Sequence, residues 1–308
     1  MAINRIHGVW AVEADSTLVS GITGRRGSTG TETQGEPASG LVYPQNIYIR
    51  GQQPVFDFGT KSIANALDTL GGLIGKNIAD LAAGFKMYLE KRAAGSTRAS
   101  GANHRKLTAT AGLILPRSLS VEHQGDAVLS YDVVPVYDGV NDPVAITDSV
   151  SLPAGLTDSD RWTLGPFTIE SIALGQAQSL NIDFGISEQL HAGDSDIWAT
   201  MVSIARIQPV LTLTGTDIEW FKSTNFPLAG KAATHANTTI YLRHRAGGST
   251  YVANGTATHI KFTADGLAYI DTFADASGDA PDSISLTMPL RYDGTNAPLT
   301  VDTTSAIS

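Results

Sequence analysis

Several residue types that carry chemistry occur here, at spacings that fall short of the motifs they resemble. The segment GGLIGK at residues 71–76 has the glycines and the lysine of a phosphate-binding loop. Such a loop needs four residues between its outer glycines, a serine or threonine after the lysine, and a strand before it. Here three residues separate Gly71 from Gly75, Asn77 follows Lys76, and a predicted helix precedes them, so we expect no nucleotide site.

The histidine, serine and aspartate residues also lack the spacing of known catalytic or metal-binding motifs. The seven histidines include no HExxH pair, and His244 is expected on the presented face of a strand. The chain has no cysteine and no G-x-S-x-G sequence, so neither thiolate nor serine-hydrolase chemistry has a signal. Asp138 and Asp293 begin turns that offer oxygen ligands without the spacing of a calcium loop, which favours a turn-forming role. We therefore predict no enzymatic activity, no metal and no cofactor.

A basic turn at residues 93–106 carries Arg98, Arg105 and Lys106 among glycines. It could bind a phosphate or an acidic partner, and the simpler interpretation is a hairpin loop with solvated charges. The matching turn near the C-terminus has Val252 in place of Arg98, which weakens a shared phosphate role.

The composition favours β structure with hydrophobic cores. The chain has 308 residues, of which 42% are hydrophobic, and it is rich in Gly, Ser, Thr and Ala. That length accommodates two domains of about 150 residues each. No run of about 20 apolar residues exists and the N-terminus lacks an apolar signal core, so we expect no membrane insertion. We expect the chain to assemble in the cytoplasm.

The charge of the chain is acidic and unevenly placed. Its formal net charge is −9, of which residues 1–155 contribute −1 and residues 156–308 contribute −8. An acidic surface repels nucleic acid rather than binding it. The alternative interpretation is that the surplus acid confers solubility alone.

The elements that would position these residues occur twice. The segment KMYLEKRAAGST, which begins at Lys86, recurs as TIYLRHRAGGST at a spacing of 153, and YDGVNDP recurs as YDGTNAP at a spacing of 155. The triplet QPV at residues 53–55 also recurs 155 residues later. A repeat of this length predicts two tandem units, which we place at residues 1–155 and 156–308.

Periodicity predicts mainly strands within each unit. Residues 41–49 and their counterparts 197–207 alternate as strands, and residues 129–137 and 284–292 alternate between a buried and a presented face. Apolar residues at helical spacing predict a helix over residues 60–70, with a shorter second-unit version at 217–221.

The two units differ in the segment that precedes this frame. Residues 16–40 hold six glycines in 25 positions and predict a long loop or an extended arm, with a flexible linker as the alternative. In the second unit, residues 167–186 predict a β-hairpin around Gly175 and Gln176 in place of that arm.

Three features of the sequence carry a resemblance to a known family. They are the repeated ends YDGVNDP and YDGTNAP, the block HRKLTATAGLILPRSLSVEHQGDA, and the glycine-rich arm ahead of a strand and helix. Together they resemble the major tail tube protein of long-tailed (siphovirus-like) bacteriophages, in its fused two-unit form. The resemblance implies two β-sandwich or β-barrel units, each with a flanking short α-helix. It also implies sheets that join around a lumen and an arm that reaches the adjacent ring.

What the resemblance implies for function is a structural virion protein. Three chains would form a pseudo-hexameric ring, and stacked rings would form the tail tube through which DNA passes without specific binding. The implied partners are other copies of the chain and the tape measure, tail terminator and distal tail proteins. The alternative function is a virion decoration or receptor-binding β-sandwich.

Two sets of charged residues are candidates for contacts in such an assembly. Four residues of the arm are candidates for contact between rings: Arg25, Arg26, Glu32 and Glu36. Five acidic residues are candidates for the wall or rim of the lumen: Asp132, Asp271, Asp275, Asp279 and Asp282.

Overall fold

The structure is a computed structural model that describes residues 8–37, 42–92, 98–156, 160–169, 172–193, 196–216, 233–247, 250–274 and 283–308. These residues form a mainly β protein built from antiparallel sheets, which confirms the fold class that the alternating sequence predicted.

The first half of the chain contains twelve described strands. In chain order they are β1 (Gly8–Ala14), β2 (Thr17–Val19), β3 (Ile22–Ser28), β4 (Glu32–Pro37), β5 (Pro44–Gly51), β6 (Val55–Thr60), β7 (Lys76–Asn77), β8 (Phe85–Glu90), β9 (His104–Ala109), β10 (Gly112–Glu122), β11 (Val128–Pro135) and β12 (Ala145–Val150).

The described strands of the second half continue this numbering. They are β13 (Arg161–Ile169), β14 (Ile172–Ala173), β15 (Ala177–Asp183), β16 (Ile186–Ala192), β17 (Ala199–Ile207), β18 (Val210–Gly215), β19 (Ala233–Ala246), β20 (Thr250–Tyr251), β21 (His259–Ala274), β22 (Ser283–Pro289) and β23 (Leu299–Ser305).

The predicted helix over residues 60–70 forms as α1 (Ile63–Thr69). Its apolar residues recur three and four positions apart, so one face packs into the core, and Ile63, Ala66 and Leu67 are buried. A short 3₁₀ turn follows at Ile78–Asp80. The shorter helix predicted at residues 217–221 lies outside the described residues.

Four sheets organise the described strands. One has the order β12-β9-β8-β1-β2, and a larger one follows the path β14-β13-β19-β21-β22-β18-β15-β10-β11-β6-β3. Two separate two-stranded sheets are the hairpins β4–β5 and β16–β17. The core lies between the sheets and α1, where the rings of Phe58, Phe85 and Tyr131 stack.

The register of strand pairing recurs along the chain at a nearly constant spacing. The pairs Ile22↔Thr60 and Arg25↔Phe58 of β3 and β6 return 155 residues later as Ala177↔Gly215 and Leu180↔Leu213 of β15 and β18. The pairing of β6 with β11 returns as β18 with β22, and that of β9 with β12 returns as β21 with β23, both at 155.

The alternation predicted over residues 129–137 and 284–292 is confirmed along β22 and the first part of β11. It fails at Val134, at Val136 and at Tyr292, which was predicted to be buried and is 63% exposed. In β22 the side chains of Ile284, Leu286 and Met288 are buried and those between them are half-buried. In β11 the same pattern holds at Leu129 and Tyr131. Val134 and Val136 were predicted to be presented, but both are buried, because this end of β11 is covered on both faces.

The glycine-rich segment over residues 16–40 is neither a loop nor a linker where the structure describes it. Its residues form β2, β3 and β4, and β3 pairs with β6 at the edge of the large sheet. Strand β4 pairs with β5 as a separate hairpin, so the extended arm is a β-ribbon. The glycines accommodate bulges and turns rather than disorder.

The hairpin predicted over residues 167–186 is wrong. Strand β13 pairs with β14 and β19, whereas β15 pairs with β10 and β18, so the turn at Gly175 joins strands that are not partners. The second half instead carries β16–β17, whose pairing Glu188↔Ile204 matches Thr33↔Ile49 of β4–β5 at a spacing of 155. The predicted difference between the two arms is therefore also wrong.

Both hairpins are closed at the base by the same contact. The amide of Gln53 donates to the carbonyl of Gly30 at 3.3 Å, and the amide of Gln208 donates to that of Gly185 at 3.1 Å. Both glycines have positive φ, at 53° and 58°. A Cβ atom would lie 2.2 Å from the carbonyl oxygen of Gln53 and 1.9 Å from that of Gln208, so no larger residue fits.

We expect Gly30→Ala and Gly185→Ala each to lower the free energy of unfolding by about 2–3 kcal/mol, because strained left-handed backbone and a carbonyl clash act together. Gly24→Ala is the matched control, since Gly24 has a φ of 48° and open space around its Cβ position. It should lose only about 1 kcal/mol. Urea unfolding measures all three, and equal losses would show that the hairpin bases are not tightly packed.

Candidate assembly surfaces

The residues that suggested a phosphate loop are held by other contacts. The ammonium of Lys76 pairs with the carboxylate of Asp15 at 2.6 Å. In the basic turn, Arg98 pairs with Glu90 at 2.7 Å and Arg105 pairs with Asp148 at 2.5 Å. Among the described residues, no group of three or more His, Asp or Glu side chains is placed to hold a metal ion.

Three histidines have structural roles inside the sheets. Nδ1 of His104 accepts a hydrogen bond from the amide of Lys91 at 3.0 Å, and Nδ1 of His259 accepts one from the amide of His244 at 2.9 Å. The prediction that His244 lies on a presented face is wrong. Its ring is buried and stacks on Trp162 with the ring centroids 5.3 Å apart, because Trp162 is its cross-strand partner on the neighbouring strand β13.

The two repeated aspartate turns are built alike. Oδ1 of Asp138 accepts from the amides of Val140 and Asn141, and Oδ1 of Asp293 accepts from those of Thr295 and Asn296, at 2.6–2.8 Å. Hydrogen bonds from Asn296 and Thr295 to the charged form lower the pKa of Asp293 to about 2. Those from Asn141 and Val140 lower the pKa of Asp138 as well.

A carboxylate with a lowered pKa stabilises the folded state above its unfolded pKa, and this contribution is lost as the pH falls through the folded pKa. We therefore expect the difference in Tm between wild type and Asp293→Ala to be full at neutral pH. It should shrink as the pH falls from about 4 towards 2. Asp293→Asn is the control: it keeps one acceptor for the amides, so it should retain part of the stability without the pH dependence. A difference in Tm that does not change with pH would contradict the ionised turn.

The two halves of the chain meet where β10 pairs with β15. Five residue pairs join the strands in antiparallel register, from Ser118↔Asp183 to Glu122↔Ser179. This junction makes the large sheet continuous from one half of the chain to the other.

Arg117 fastens the junction of β10 and β15. Its guanidinium pairs with Asp132 at 2.6 Å on β11 and with Glu188 at 2.6 Å on β16, and it donates to the carbonyl of Ile186 at 2.5 Å. Burial favours the neutral form, but the hydrogen bonds to Glu188 and Asp132 outweigh it, so the pKa of Arg117 rises above its ordinary value. The arginine thus connects three strands from both halves.

Asp126 forms a second set of ion pairs between the halves. Its carboxylate pairs with Lys61 at 2.8 Å, with Arg245 at 3.0 Å and with Arg161 at 3.7 Å. The hydrogen bond from Lys61 is the largest cause that lowers the pKa of Asp126. Sequence reasoning identified neither Asp126 nor Arg117. The available signal for Arg117 was a single arginine within the apolar run LILPRSLSV.

The four residues predicted to contact an adjacent ring fall on two different elements. Arg25 and Arg26 lie on β3 at the edge of the large sheet, where Arg26 pairs with Asp57 at 3.1 Å. Glu32 and Glu36 lie on β4 of the hairpin, where Glu36 accepts a hydrogen bond from the hydroxyl of Tyr48 at 3.0 Å. The structure therefore does not bring the two arginines and the two glutamates into one cluster.

The two hairpins present exposed apolar side chains that the sequence pattern did not indicate as a site. On and beside β5, Ile47, Tyr48 and Ile49 are exposed, as are Met201 and Ile204 on β17. The base of hairpin β4–β5 meets the turn end of hairpin β16–β17, where the amide of Gln52 donates to the carbonyl of Ile197 at 2.7 Å. Contiguous exposed apolar side chains mark surfaces that meet another molecule.

Two of the five residues predicted for the wall or rim of the lumen lie within the described part of the chain. Asp132 lies on the half-exposed face of β11, and its charge is compensated by Arg117. Asp271 is exposed on β21 at a shift in register. Asp275, Asp279 and Asp282 lie outside the described residues.

The presented face of the large sheet is polar and carries few charges. One row across four paired strands consists of Ser120, Asn181, Thr212 and Thr287. A second row runs through Asp132, Asp57 and Arg26 and contains the pair of Asp57 with Arg26. This face therefore offers hydroxyl and amide groups together with compensated charges.

Comparison with known proteins returns no family model and no curated relative that matches this chain. None of the described helices has the length and apolar character needed to cross a membrane.

Proposed function

We propose that this chain is the structural subunit of a bacteriophage tail tube. In this proposal the chain is not an enzyme. Copies self-assemble into rings in the cytoplasm of the host bacterium, the rings stack into a tube, and the tube becomes the conduit for DNA in the virion. Other tail proteins that fill or close such a tube, namely the tape measure, terminator and distal tail proteins, are the proposed partners.

The observation that carries the proposal is the junction of β10 with β15. It joins two sets of strands that have matching registers, and it does so edge to edge within one sheet. We infer that these sets are two tandem units, residues 1–155 and 156–308. A sheet extended in this way leaves edges that must be covered, and a closed ring of further copies covers them. Three chains supply six such sets, which makes a ring of three look six-fold.

The presented face of the large sheet supports a role as the wall of a conduit. A wall rich in Lys and Arg would neutralise phosphates, release counterions and bind the DNA, which would slow its passage. Hydroxyl and amide groups such as those of Ser120, Asn181 and Thr212 add no such attraction. We propose that this face lines the lumen, with Asp271 at or near it, and that its net charge is neutral or acidic.

The two exposed hairpins support stacking of rings. Each carries apolar side chains that its own half of the chain does not cover, among them Ile47 and Ile49 on β5 and Ile204 on β17. Burial of such apolar side chains removes them from water and favours association. We propose that both hairpins lie between successive rings.

Negative-stain electron microscopy of the purified chain tests the proposal. We expect rings or tubes with a central channel wide enough to pass a DNA duplex. Dispersed single particles or compact trimers without a channel, at every protein concentration tried, would contradict the proposal and favour a decoration or receptor-binding protein.

A further inference from the structure

Two edges of the large sheet are open within the described part of the chain. Strand β3 is the last strand of its path and pairs with β6 alone. At the other end, Thr272–Ala274 of β21 pair with β22 on one side, and no described strand pairs with them on the other. Open edges present unpaired backbone N–H and C=O groups, which are a template for another strand.

The closed junction of β10 with β15 shows how such edges fit together. Ser118 lies opposite Asp183, Leu119 opposite Ile182 and Ser120 opposite Asn181. In this junction β10 contributes the edge beyond β11, and β15 contributes the edge beyond β18.

The open edges are the counterparts of these closed ones. Strand β3 pairs with β6 in the register in which β15 pairs with β18, at a spacing of 155. The pair Thr272↔Ser285 corresponds to Ser118↔Ser130, and each follows a register shift of one residue, at Asp271 and at Arg117. The end of β21 therefore occupies the position of β10, and β3 occupies that of β15.

We propose that β3 of one copy pairs antiparallel with the end of β21 of a second copy. The register of the closed junction places Thr272 opposite Ser28, Phe273 opposite Gly27 and Ala274 opposite Arg26. This inference deepens the proposed function and rests on it, since it needs the chains to self-assemble. The occupant of both edges is a second copy of this chain, because only the chain itself supplies both halves of the matched register.

The junction of β10 with β15 and the proposed junction between copies differ in the ion pairs that stabilise them. At the register shift the closed junction has Arg117, which bridges Asp132 and Glu188. At the proposed junction between copies, the residues that correspond to Arg117, Asp132 and Glu188 are Asp271, Thr287 and Thr33. The ion pairs of Arg117 therefore have no equivalent there. The contact within the chain therefore has ion pairs in addition to backbone pairing, whereas the proposed contact between chains depends on backbone pairing that forms on assembly.

Disulfide cross-linking between two single-cysteine chains tests the register, because the natural chain has no cysteine. Chains that carry Thr272→Cys are mixed with chains that carry Ser28→Cys under assembly conditions and oxidised. We expect a cross-linked dimer on non-reducing gels, because residues directly opposite each other bring their Cβ atoms within disulfide reach. Single variants oxidised alone give the collisional background.

The matched control mixes Thr272→Cys with Thr23→Cys. Thr23 lies on the same strand, five residues and about 17 Å from Ser28. It should therefore cross-link no more than the background. The double variant Ser118→Cys/Asp183→Cys is the positive control, since it should close a disulfide within one chain.

The outcomes separate the register from the proposed function. A cross-link specific to Ser28→Cys supports the inference. If the wild-type chain forms rings but Ser28→Cys cross-links no better than Thr23→Cys, the register is wrong while the assembly stands. If neither rings nor cross-links form at any concentration, both the inference and the proposed function are overturned.

Discussion

Removal of the hairpin β4–β5 should leave a folded protein that forms rings but no longer stacks them into tubes. The amide of Gln53 already meets the carbonyl of Gly30, so a short Asn-Gly turn that replaces residues 31–52 spans the gap between them. The removed strands pair with each other rather than with the large sheet, so the core is preserved. Electron microscopy measures the tube length, and circular dichroism checks the fold.

Two milder variants separate the apolar side chains of the hairpin from its charges. Ile47→Ser/Ile49→Ser should shorten the tubes strongly, because these exposed residues provide the apolar area to be buried. Glu32→Ala/Glu36→Ala tests the charged contacts that the sequence predicted and should have a smaller effect. Each change should alter the free energy of unfolding by no more than about 0.5 kcal/mol, since the sites are exposed. Tubes of normal length after removal of the whole hairpin would contradict its role in stacking.

Arg117→Ala should lower the free energy of unfolding by about 2–4 kcal/mol. The change leaves the carboxylates of Asp132 and Glu188 partly buried and close together without their common partner, and it removes a hydrogen bond to the carbonyl of Ile186. The loss should be measured by urea unfolding monitored by fluorescence. The same variant should weaken the junction of β10 with β15, so limited proteolysis should cut more readily between the halves.

Arg26→Ala is the matched control for this prediction. The ion pair of Arg26 with Asp57 has similar geometry, at 3.1 Å, but the side chain of Arg26 is 84% exposed against 26% for Arg117. Exposed ion pairs contribute up to about 1 kcal/mol, so this variant should be nearly neutral. Equal losses for the two variants would show that Arg117 does not fasten the junction.

Local periodicity was enough to predict much of the fold. The helix around Ile63 and the strand that contains Leu286 follow patterns of burial that depend on neighbours three, four or two positions away. The aspartate turns were also predictable, because Asp138 and Asp293 form hydrogen bonds within a few residues. These elements do not depend on distant partners.

The arm and the second hairpin were beyond such reasoning. Glycines at residues 21, 24 and 27 suggested a loop, but β3 forms because the edge of β6 supplies partners for its backbone. The apolar segments around Gly175 suggested a hairpin, but β10 competes successfully for β15.

The candidate surfaces were predicted only in part for the same reason. Arg26 and Glu36 are both exposed, as the sequence suggested, but their separation into a sheet edge and a hairpin depends on long-range pairing. Arg117 and Asp126 gather partners that lie 15 to 119 residues away, which no local pattern indicates.

The stoichiometry of isolated rings tests the central claim most directly. Native mass spectrometry of rings released from tubes should give three chains, about 97 kDa from the chain mass of 32.4 kDa, and averaged images of the same rings should look nearly six-fold. Three chains per ring follow from two matched sets of strands in each chain. Six full-length chains per ring, or no ring at all, would contradict the account.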